Sequence, residues 1–399
     1  MPCPVDFAQD PIASLRALAA QQGALAEFWV ADQRVYLASA PDLIQRALTC
    51  KQLPKRQGRG AATCLLGQGL MTSQGDLNRC QRRRLRPLFS PSAQATWPHI
   101  VHEETEALCQ CWRPGQVLDS VAELGRLSLA VACRCLLGQR LPEETMLLES
   151  LEEILNAGHR PALLQTIRTR LDGLANRLLQ TGQGPLIERL LNLPIDDELR
   201  RDEIITMLLG AHETTAVTMA WCMRLLALHP SVDAASQARA VVAEALRLYP
   251  PGWIIARQVD APVHLGEFRL EGPATLLMSP MVTHYLAEVW PEPECFRPQR
   301  FAQGKPPAGS YFPFGGGDRV CIGESMAWLE ATQAISIMAA RWRLVPVDSG
   351  PVKLRPLAAL RPACGLPARV ERRPDKACGE PPGAEDEAGL PVQKARSCD

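Results

Sequence analysis

The feature of this sequence that most constrains its fold is a glycine-rich segment around a cysteine, FPFGGGDRVCIGESMAWLEA, at residues 312–331. Three consecutive glycines, Gly315–Gly317, allow the backbone to turn tightly and to approach a flat partner closely, because no Cβ atom stands in the way. Cys321 follows at the predicted start of a helix, where unpaired backbone N–H groups and the helix dipole favour a thiolate over a thiol. A thiolate in such a place is either a nucleophile or a metal ligand.

Several roles for Cys321 remain open on the local residues alone. A nucleophilic cysteine needs a base, which is not evident nearby and would have to come from another part of the fold. A metal held by several protein ligands needs a cluster of cysteine or histidine residues, and this segment has none. One thiolate suffices when a macrocycle provides the other ligands, so haem fits, with Arg319 suited to pair with a haem propionate. A buried structural cysteine in a glycine loop is the remaining possibility.

The same segment resembles the haem-binding loop of the cytochrome P450 superfamily. The family pattern F-x-x-G-x-R-x-C-x-G is matched at every fixed position, by Phe314, Gly317, Arg319, Cys321 and Gly323. The resemblance implies a mainly α fold, with a large helical domain and small peripheral β-sheets. It also implies haem b (iron protoporphyrin IX) as cofactor, with Cys321 as the iron ligand and the other four residues contacting the haem.

The composition is that of a globular protein and excludes several classes. Of 399 residues, 46% are hydrophobic, and 43 basic residues balance 43 acidic ones, so no overall charge recruits nucleic acid or an anionic membrane. Charges interrupt the N-terminal segment and no run reaches about 18 apolar residues, so neither a signal peptide nor a membrane span is predicted. The 14 cysteines are scattered and include no C-x-x-C pair, which favours a reducing cytoplasmic location.

One mostly helical domain is predicted over residues 1–373, because no Gly/Ser-rich or Pro-rich linker interrupts them. Residues 374–399 contain four prolines, three glycines and little apolar bulk, so they are expected to form a disordered tail. The predicted elements are a helix at 11–21, a β-hairpin from 25, a helix at 40–48, a mobile loop at 54–69, helices across 77–249, a β-rich stretch at 253–278 and short strands after 342.

A long helix is predicted over about residues 202–228, and its middle reads GAHETT. The metalloprotease pattern H-E-x-x-H is excluded, because Ala216 stands where the second histidine is needed. A solvated polar turn on a long helix remains open for this segment alone. The segment resembles the oxygen-binding helix of cytochromes P450. That resemblance implies that Glu213 and Thr214 relay protons during oxygen activation and that Ala211, where glycine is more common, borders the oxygen groove.

Glu244 and Arg247 lie three residues apart near the end of a predicted helix, so they can pair on one face. They resemble the family's E-x-x-R helix, whose charges are buried with an arginine of a P-x-R-F segment, here Arg300. Loss of one partner from such a buried triad costs on the order of 3–5 kcal/mol. Arg257, ten residues past Arg247, matches a family position that contacts a haem propionate.

Five arginines lie within the eight residues 79–86. No nucleic-acid-binding motif accompanies them. The stretch resembles the family's W-x-x-x-R helix, in which the arginine pairs with a propionate and the exposed basic face docks an acidic electron donor. Arg82 takes the arginine position, and Asn78 stands where tryptophan or histidine is usual. The residues expected on the docking face are Arg79, Arg83 and Arg86.

These resemblances together imply a monooxygenase that inserts one atom of O2 into an apolar organic substrate by hydroxylation or epoxidation, as in bacterial secondary metabolism or lipid oxidation. The chain has no G-x-G-x-x-G fingerprint and no cysteine set for an iron–sulfur cluster, so NAD(P)H-derived electrons must arrive through separate proteins. A ferredoxin or flavodoxin with its reductase is expected, and the protein itself is expected to be a monomer. The alternatives are a peroxide-driven peroxygenase of the same fold, a haem-binding sensor or carrier, and a cysteine-nucleophile enzyme.

The substrate is the least constrained part of the prediction. Fatty acids, terpenoids and carrier-bound amino-acid or polyketide intermediates all remain open. The stretch between the Arg82 helix and the Thr214 helix is short for the family, which predicts an open pocket. The residues that correspond to pocket-lining regions of the family are Trp253, Ile254, Ile255, Leu357 and Ala358, together with the loop at 50–71.

Overall fold

The structure, a computed structural model, describes residue 7 and residues 9–56, 61–157 and 160–373. The described residues form mainly α-helices with small separate sheets, which confirms the predicted fold class. The expected disordered tail at 374–399 lies outside the described residues.

The helices of the described residues are α1 (Pro11–Gln22), α2 (Pro41–Thr49), α3 (Ala61–Leu66), α4 (Gly75–Leu85), α5 (Trp97–Cys111), α6 (Ser120–Leu137), α7 (Glu144–Ala157), α8 (Pro161–Thr181), α9 (Pro185–Leu191), α10 (Asp197–Leu228), α11 (Ala234–Leu248), α12 (Pro280–Thr283) and α13 (Glu324–Arg341). The strands are β1 (Leu25–Val30), β2 (Gln33–Ala38), β3 (Val117–Asp119), β4 (Ile255–Val259), β5 (Val263–Leu265), β6 (Phe268–Leu270), β7 (Ala274–Met278), β8 (Trp342–Pro346), β9 (Leu354–Pro356), β10 (Leu360–Pro362) and β11 (Pro367–Arg372).

The core is built around α10, which packs against α6, α11 and α13. The Asp196 carboxylate accepts a hydrogen bond from the Leu199 backbone N–H at 2.8 Å, so the helix begins at residue 197 rather than at the predicted 202. Residues 202–208 and 215–227 of α10 are buried, and Trp221 stacks on Tyr249 with ring centroids 3.6 Å apart. Its middle, residues 209–214, is more exposed, apart from the buried His212, because it borders a cavity.

The main sheet has the strand order β1-β2-β7-β4, in which β2 and β7 are parallel and the other pairs antiparallel. The hairpin predicted from residue 25 is confirmed as β1–β2, and the β-rich stretch is confirmed as β4–β7. An isolated bridge between Lys55 and Arg257 places the chain after α2 beside β4, at the edge of the cavity.

The prediction of an irregular loop over residues 54–69 is wrong in part. Residues 61–66 form α3, because Leu65 and Leu66 are buried against α8 and α10 and tertiary packing stabilises this short helix. Residues 57–60 of the predicted loop lie outside the described residues.

Candidate active site

Cys321 is held by the backbone of its own loop. The Cys321 N–H donates to the Phe314 carbonyl at 2.9 Å, and the Gly315 N–H donates to the Phe312 carbonyl at 2.9 Å. A short 3-10 turn covers residues 317–319, and α13 begins three residues after the cysteine with Gly323 as its N-cap. We call residues 312–323 the floor of the cavity.

The glycines of the floor are required by close contacts with α2. Gly317 has a φ of +62°, and a Cβ atom there would lie 2.1 Å from the Leu48 carbonyl oxygen. A Cβ atom on Gly316 would lie 3.0 Å from the Leu48 side chain. Gly317 therefore packs the floor onto α2 and is not among the described residues that line the cavity.

Other groups oppose the effect of the helix terminus on the free Cys321 thiol. Burial raises the pKa of the Cys321 thiol, and the Glu324 carboxylate adds to this shift. The Gly323 N–H and the Arg82 charge act in the opposite direction but do not outweigh burial.

A cavity of about 450 Å³ lies between the floor and the middle of α10. Cys321 and Gly323 line it on one side, and Gly210, Ala211 and Thr214 line it on the other, which we call the roof. The remaining wall is largely apolar and includes Leu70, Met71, Phe89, Leu136, Met207, Leu246, Ile254 and Ile255.

Four cationic side chains line the same cavity: Lys55, Arg82, Arg257 and Arg319. Burial and the charges of Arg257 and Arg82 lower the pKa of Arg319 to about 10. Burial and the charges of Arg319 and Arg257 lower the pKa of Lys55 to about 8. Within the described part of the chain, none of the four forms a salt bridge.

This cluster of buried and half-buried cations fits a ligand that brings its own carboxylates. Each arginine already donates to a backbone carbonyl: Arg82 to Val320 at 2.5 Å and Arg319 to Ser73 at 2.9 Å, with a longer contact from Arg257 to its neighbour. Haem carries two propionates, and its flat ring suits a wall with glycine and small side chains. The residues present therefore fit haem, with a single thiol below it.

The middle of α10 separates the two predicted relay residues. The Thr214 side chain is exposed to the cavity. The Glu213 carboxylate instead faces Arg361 of β10, with an Oε1–Nε distance of 3.5 Å, and is not among the described residues lining the cavity. Arg361 also pairs with Glu152 of α7 at 2.9 Å. Burial raises the pKa of Glu213, and the Arg361 charge opposes this shift.

The predicted pocket residues fall into two groups. Ile254 and Ile255 line the cavity, as does the nearby Met71. Trp253, Leu357 and Ala358 are not among the described lining residues. The reason is that the Trp253 indole Nε1–H turns away from the cavity and donates to the Leu357 carbonyl at 2.8 Å, in the turn between β9 and β10. These three residues lie outside the lining of this cavity, and their role at the substrate stays a prediction.

The three charges predicted to form a triad lie in contact. The Glu244 carboxylate accepts two hydrogen bonds of 2.8 Å from Arg247 and one of 3.1 Å from Arg300. Glu244 and Arg247 are fully buried. Arg247 also donates to the His284 carbonyl at 2.9 Å, and the His284 Nε2 accepts from the Phe312 N–H at 3.1 Å. The triad is thereby connected to the first residue of the floor.

The outer face of α4 is basic. Arg79, Arg83 and Arg86 are exposed, and Arg79 pairs with Asp76 on the same helix. Arg82 points the other way and lines the cavity. The helix therefore carries cations on both its cavity side and its outer side.

Sequence reasoning missed Met207 and Thr218 as lining residues, whereas Lys55 and Leu70 fall within the loop at 50–71 that was expected to line the pocket. The segment 54–69 was predicted to be mobile because it lacks periodicity, so the fixed position of this loop at the cavity was not expected. Met207 lies four residues before Ala211, and Thr218 lies four residues after Thr214. Residues four apart share a helix face, so this spacing could have indicated that both line the cavity.

Comparisons with known proteins give consistent results. The family described as Cytochrome P450 matches residues 5–190 and 236–363. A cyclooctat-9-en-7-ol 5-monooxygenase of Streptomyces melanosporofaciens is 29% identical over 84% of this chain and 86% of its own length. A pentalenene oxygenase of Streptomyces avermitilis is 26% identical over 87% of this chain and 89% of its own.

A solved structure, that of a six-coordinated cytochrome P450 of Thermus thermophilus, superposes with a TM-score of 0.78 and 32% identity, over 91% of this chain and 98% of the other. Among the described helices, none has the length and apolar character needed to cross a membrane.

Proposed function

The chain belongs to the cytochrome P450 family and is a monooxygenase of that family, and we propose that it oxidises a polycyclic, terpene-like substrate held between the floor and the roof. The observation that carries the proposal is the position of Cys321, which faces Ala211 and Thr214 across a largely apolar cavity. A thiol below and a hydroxyl above leave room for a flat cofactor and an apolar molecule.

Cys321 would ligate the iron of haem b, and Arg82, Arg257 and Arg319 would pair with its propionates. Haem with a thiolate ligand supplies oxygen activation, because electron donation by the sulfur favours O–O cleavage. Gly315 and Gly323 would let the chain lie close to the ring, and Phe314 lines the cavity beside them. Gly317 would act indirectly, through its contact with α2.

The protein's part in proton transfer falls to the roof. Among the threonines of α10 that line the cavity, Thr214 is the exposed one, so its hydroxyl can hold a water there and pass a proton to it. Glu213 would supply the next proton. To do so, its side chain would turn from Arg361, whose Nε lies 3.5 Å from the Glu213 Oε1, toward the cavity. The overall reaction uses one O2, two electrons and two protons to give one hydroxylated or epoxidised product and one water.

The substrate class follows from the wall and from the relatives. Leucine, isoleucine, methionine and phenylalanine side chains form most of the wall above the floor, so a hydrocarbon or a mono-alcohol would be favoured. The names of two relatives refer to cyclooctat-9-en-7-ol and to pentalenene. We therefore propose an alicyclic terpenoid of secondary metabolism in preference to a fatty acid or a carrier-bound substrate.

Electrons would come from NAD(P)H through a ferredoxin or flavodoxin and its reductase, in the cytoplasm. The exposed face of Arg79, Arg83 and Arg86 would bind the acidic surface of this donor.

The experiment is turnover of a panel of polycyclic terpenes in isotopically labelled O2, with ferredoxin, ferredoxin reductase and NADPH. One labelled oxygen atom per product, with none from labelled water, is the expected result. Equal product formation with hydrogen peroxide and no electron donor would instead identify a peroxygenase. Haem that keeps an occupied sixth position and no substrate-dependent O2 uptake would identify a sensor or carrier.

A further inference from the structure

One wall of the cavity is formed by a segment without regular secondary structure, residues 67–73, which we call the strap. It joins α3 to the loop before α4 and carries Leu70 and Met71 to the cavity. Met71 reaches the roof, because its Cε atom lies 3.3 Å from the position that a Cβ atom would have on Gly210. The position of the strap therefore sets the width of the cavity beside the roof.

The strap lies directly against α10. Gly67 has a φ of +49°, and a Cβ atom there would lie 2.2 Å from the Asp202 carboxylate. A Cβ atom on Gly69 would lie 2.0 Å from the Thr206 hydroxyl oxygen. Side chains at these positions would push the strap away from the helix, so the two glycines allow the contact.

Two neighbouring carboxylates on α10 accept the backbone N–H groups of the strap. Asp202 accepts from the Gln68 N–H at 2.7 Å, and Glu203 accepts from the Leu70 N–H at 3.0 Å. Both carboxylates are buried, and Arg168 of α8 pairs with Asp202 at 2.6 Å. The bond to Asp202, a carboxylate that pairs with Arg168, is of the charge-assisted kind, which is stronger than a bond between neutral groups.

The carbonyl groups of the strap are bound from the other side. Gln81 of α4 donates to the Gln68 carbonyl at 2.7 Å. Asn78, one turn earlier, donates to the Leu70 carbonyl at 2.9 Å and to the Ser73 hydroxyl at 3.0 Å. Leu70 is thus bound at its N–H by α10 and at its carbonyl by α4.

We propose that Asn78 and Glu203 are positioning residues that fix the strap, so that Leu70 and Met71 form a preformed wall which selects substrates by size. The inference rests on the proposed function, since it assigns a role at the same cavity. It gives a role to Asn78, which stands where the family usually has tryptophan or histidine, because the Asn78 amide nitrogen donates twice to the strap. The wall would be in place before any substrate binds.

The test uses two nitrogen ligands of haem iron, imidazole and 1-cyclohexylimidazole, titrated by their Soret shift into the full-length haem-loaded protein. Imidazole measures access to the iron, and the cyclohexyl group measures the space beside Met71. Met71→Ala should tighten 1-cyclohexylimidazole about tenfold, in the range expected for small changes of pocket volume, and leave imidazole unchanged.

Asn78→Ala should also tighten the bulky ligand selectively, because the released strap no longer holds Met71 in place. In the Met71→Ala background the same change should have no further effect, since the side chain that the strap positions is gone. Additive effects of the two substitutions, or an unchanged ratio of the two ligands in Asn78→Ala, would overturn the proposal. Asn176→Ala, on the exposed face of α8, is the matched control.

Glu203 offers a conservative variant that separates positioning from folding. Burial raises the pKa of Glu203 to about 7, so a neutral amide is a close substitute. Glu203→Gln keeps an oxygen for the Leu70 N–H and should retain wild-type ligand selectivity, whereas Glu203→Leu should lose it as Asn78→Ala does. Equal selectivity in both variants would contradict the positioning role.

Hydrogen exchange of the wild-type protein gives a readout that needs no variant. The amides of Gln68 and Leu70 should exchange far more slowly than those of the exposed segment 302–305. Exchange of the strap as fast as that of this segment would overturn the proposal. Failure of the proposed function would look different from failure of this inference. In that case neither imidazole nor 1-cyclohexylimidazole would shift the Soret band of the wild-type protein.

Discussion

The floor and the roof of the cavity are stabilised by different kinds of contact. The floor is held by hydrogen bonds within residues 312–323, by glycines packed on α2 and by the buried charges of Glu244 and Arg247. The roof is part of a long helix whose polar side chains interact with distant elements, such as Glu213 with Arg361 of β10.

This difference has a functional meaning. A metal ligand must be fixed in position, and the floor has buried interactions whose loss would destabilise the whole fold. A substrate and a proton donor need side chains around them that can move. Near the roof, a contact such as that of Glu213 with Arg361 can break without unfolding the protein. Changes near the floor should therefore alter stability, while changes at the roof should alter chemistry.

The largest effect is expected for Glu244→Ala. The change leaves Arg247 and Arg300 buried without their carboxylate, which should lower the free energy of unfolding by about 3–5 kcal/mol. Urea unfolding monitored by circular dichroism measures this, with the exposed Glu267→Ala as control. A change within about 0.5 kcal/mol, typical of surface substitutions, would break the comparison.

The next largest effect on the free energy of unfolding is expected for Glu330→Gln, and the size of this effect should depend on pH. Glu330 lies on α13, fully buried, and burial raises its pKa to about 8 although the Ser128 hydroxyl opposes the shift. Because the folded pKa exceeds the unfolded value of 4.5, the wild-type protein should lose stability as pH rises from about 4.5 through 8.

The glutamine variant lacks this titration. It should match the wild type near pH 5 and be more stable near pH 8 by on the order of 2–4 kcal/mol. Thermal unfolding at both pH values measures the difference. Parallel stability curves for the two proteins would show that this carboxyl group is not neutral in the fold.

Thr214→Ala should affect chemistry and spare stability. Without the hydroxyl at the cavity, the yield of product per O2 consumed should fall about tenfold, equivalent to ~1.4 kcal/mol, with the electrons diverted to peroxide. Oxygen-electrode and peroxide assays measure coupling, and Thr166→Ala on α8 is the control. If Thr214→Ala instead lowered stability and left the yield of product per O2 unchanged, the comparison of roof and floor would be contradicted.

The smallest effect is expected on the outer side of α4. Replacing Arg79, Arg83 and Arg86 by glutamine should slow reduction by a ferredoxin several-fold at low salt, and the difference should vanish as salt screens the charges. Stopped-flow reduction across a salt series measures it. A rate that does not respond to the substitutions at any salt concentration would exclude this docking face. The control places the same charge change on the exposed surfaces of α6 and α8, at Arg126, Arg170 and Arg177.

The floor was more predictable from the sequence than the roof, for a physical reason. The residues around Cys321 are close in sequence, and the positive φ of Gly317 is a local reason for glycine, so the pattern alone indicated a fixed thiol. The contact of Gly317 with Leu48 needed the fold. The contact between Glu244 and Arg300 was expected from the resemblance, while the link to Phe312 through His284 needed the fold.

The contacts of the roof and of the strap join residues far apart in the chain. Arg361 and Glu213 are separated by more than a hundred residues, and no local pattern indicates that they meet. The first part of the strap was predicted to be mobile because it has no periodicity and is rich in glycine. Its order comes from Asp202, Glu203 and Asn78, which bind its backbone and not its apolar side chains.

The central claim is that the Cys321 sulfur ligates haem iron, and the carbon monoxide difference spectrum of the reduced full-length protein tests it most directly. The wild type should show the red-shifted Soret band of thiolate ligation, and Cys321→Ser should lose that band. A colourless protein after expression with ample haem, or the same band in Cys321→Ser, would contradict the account.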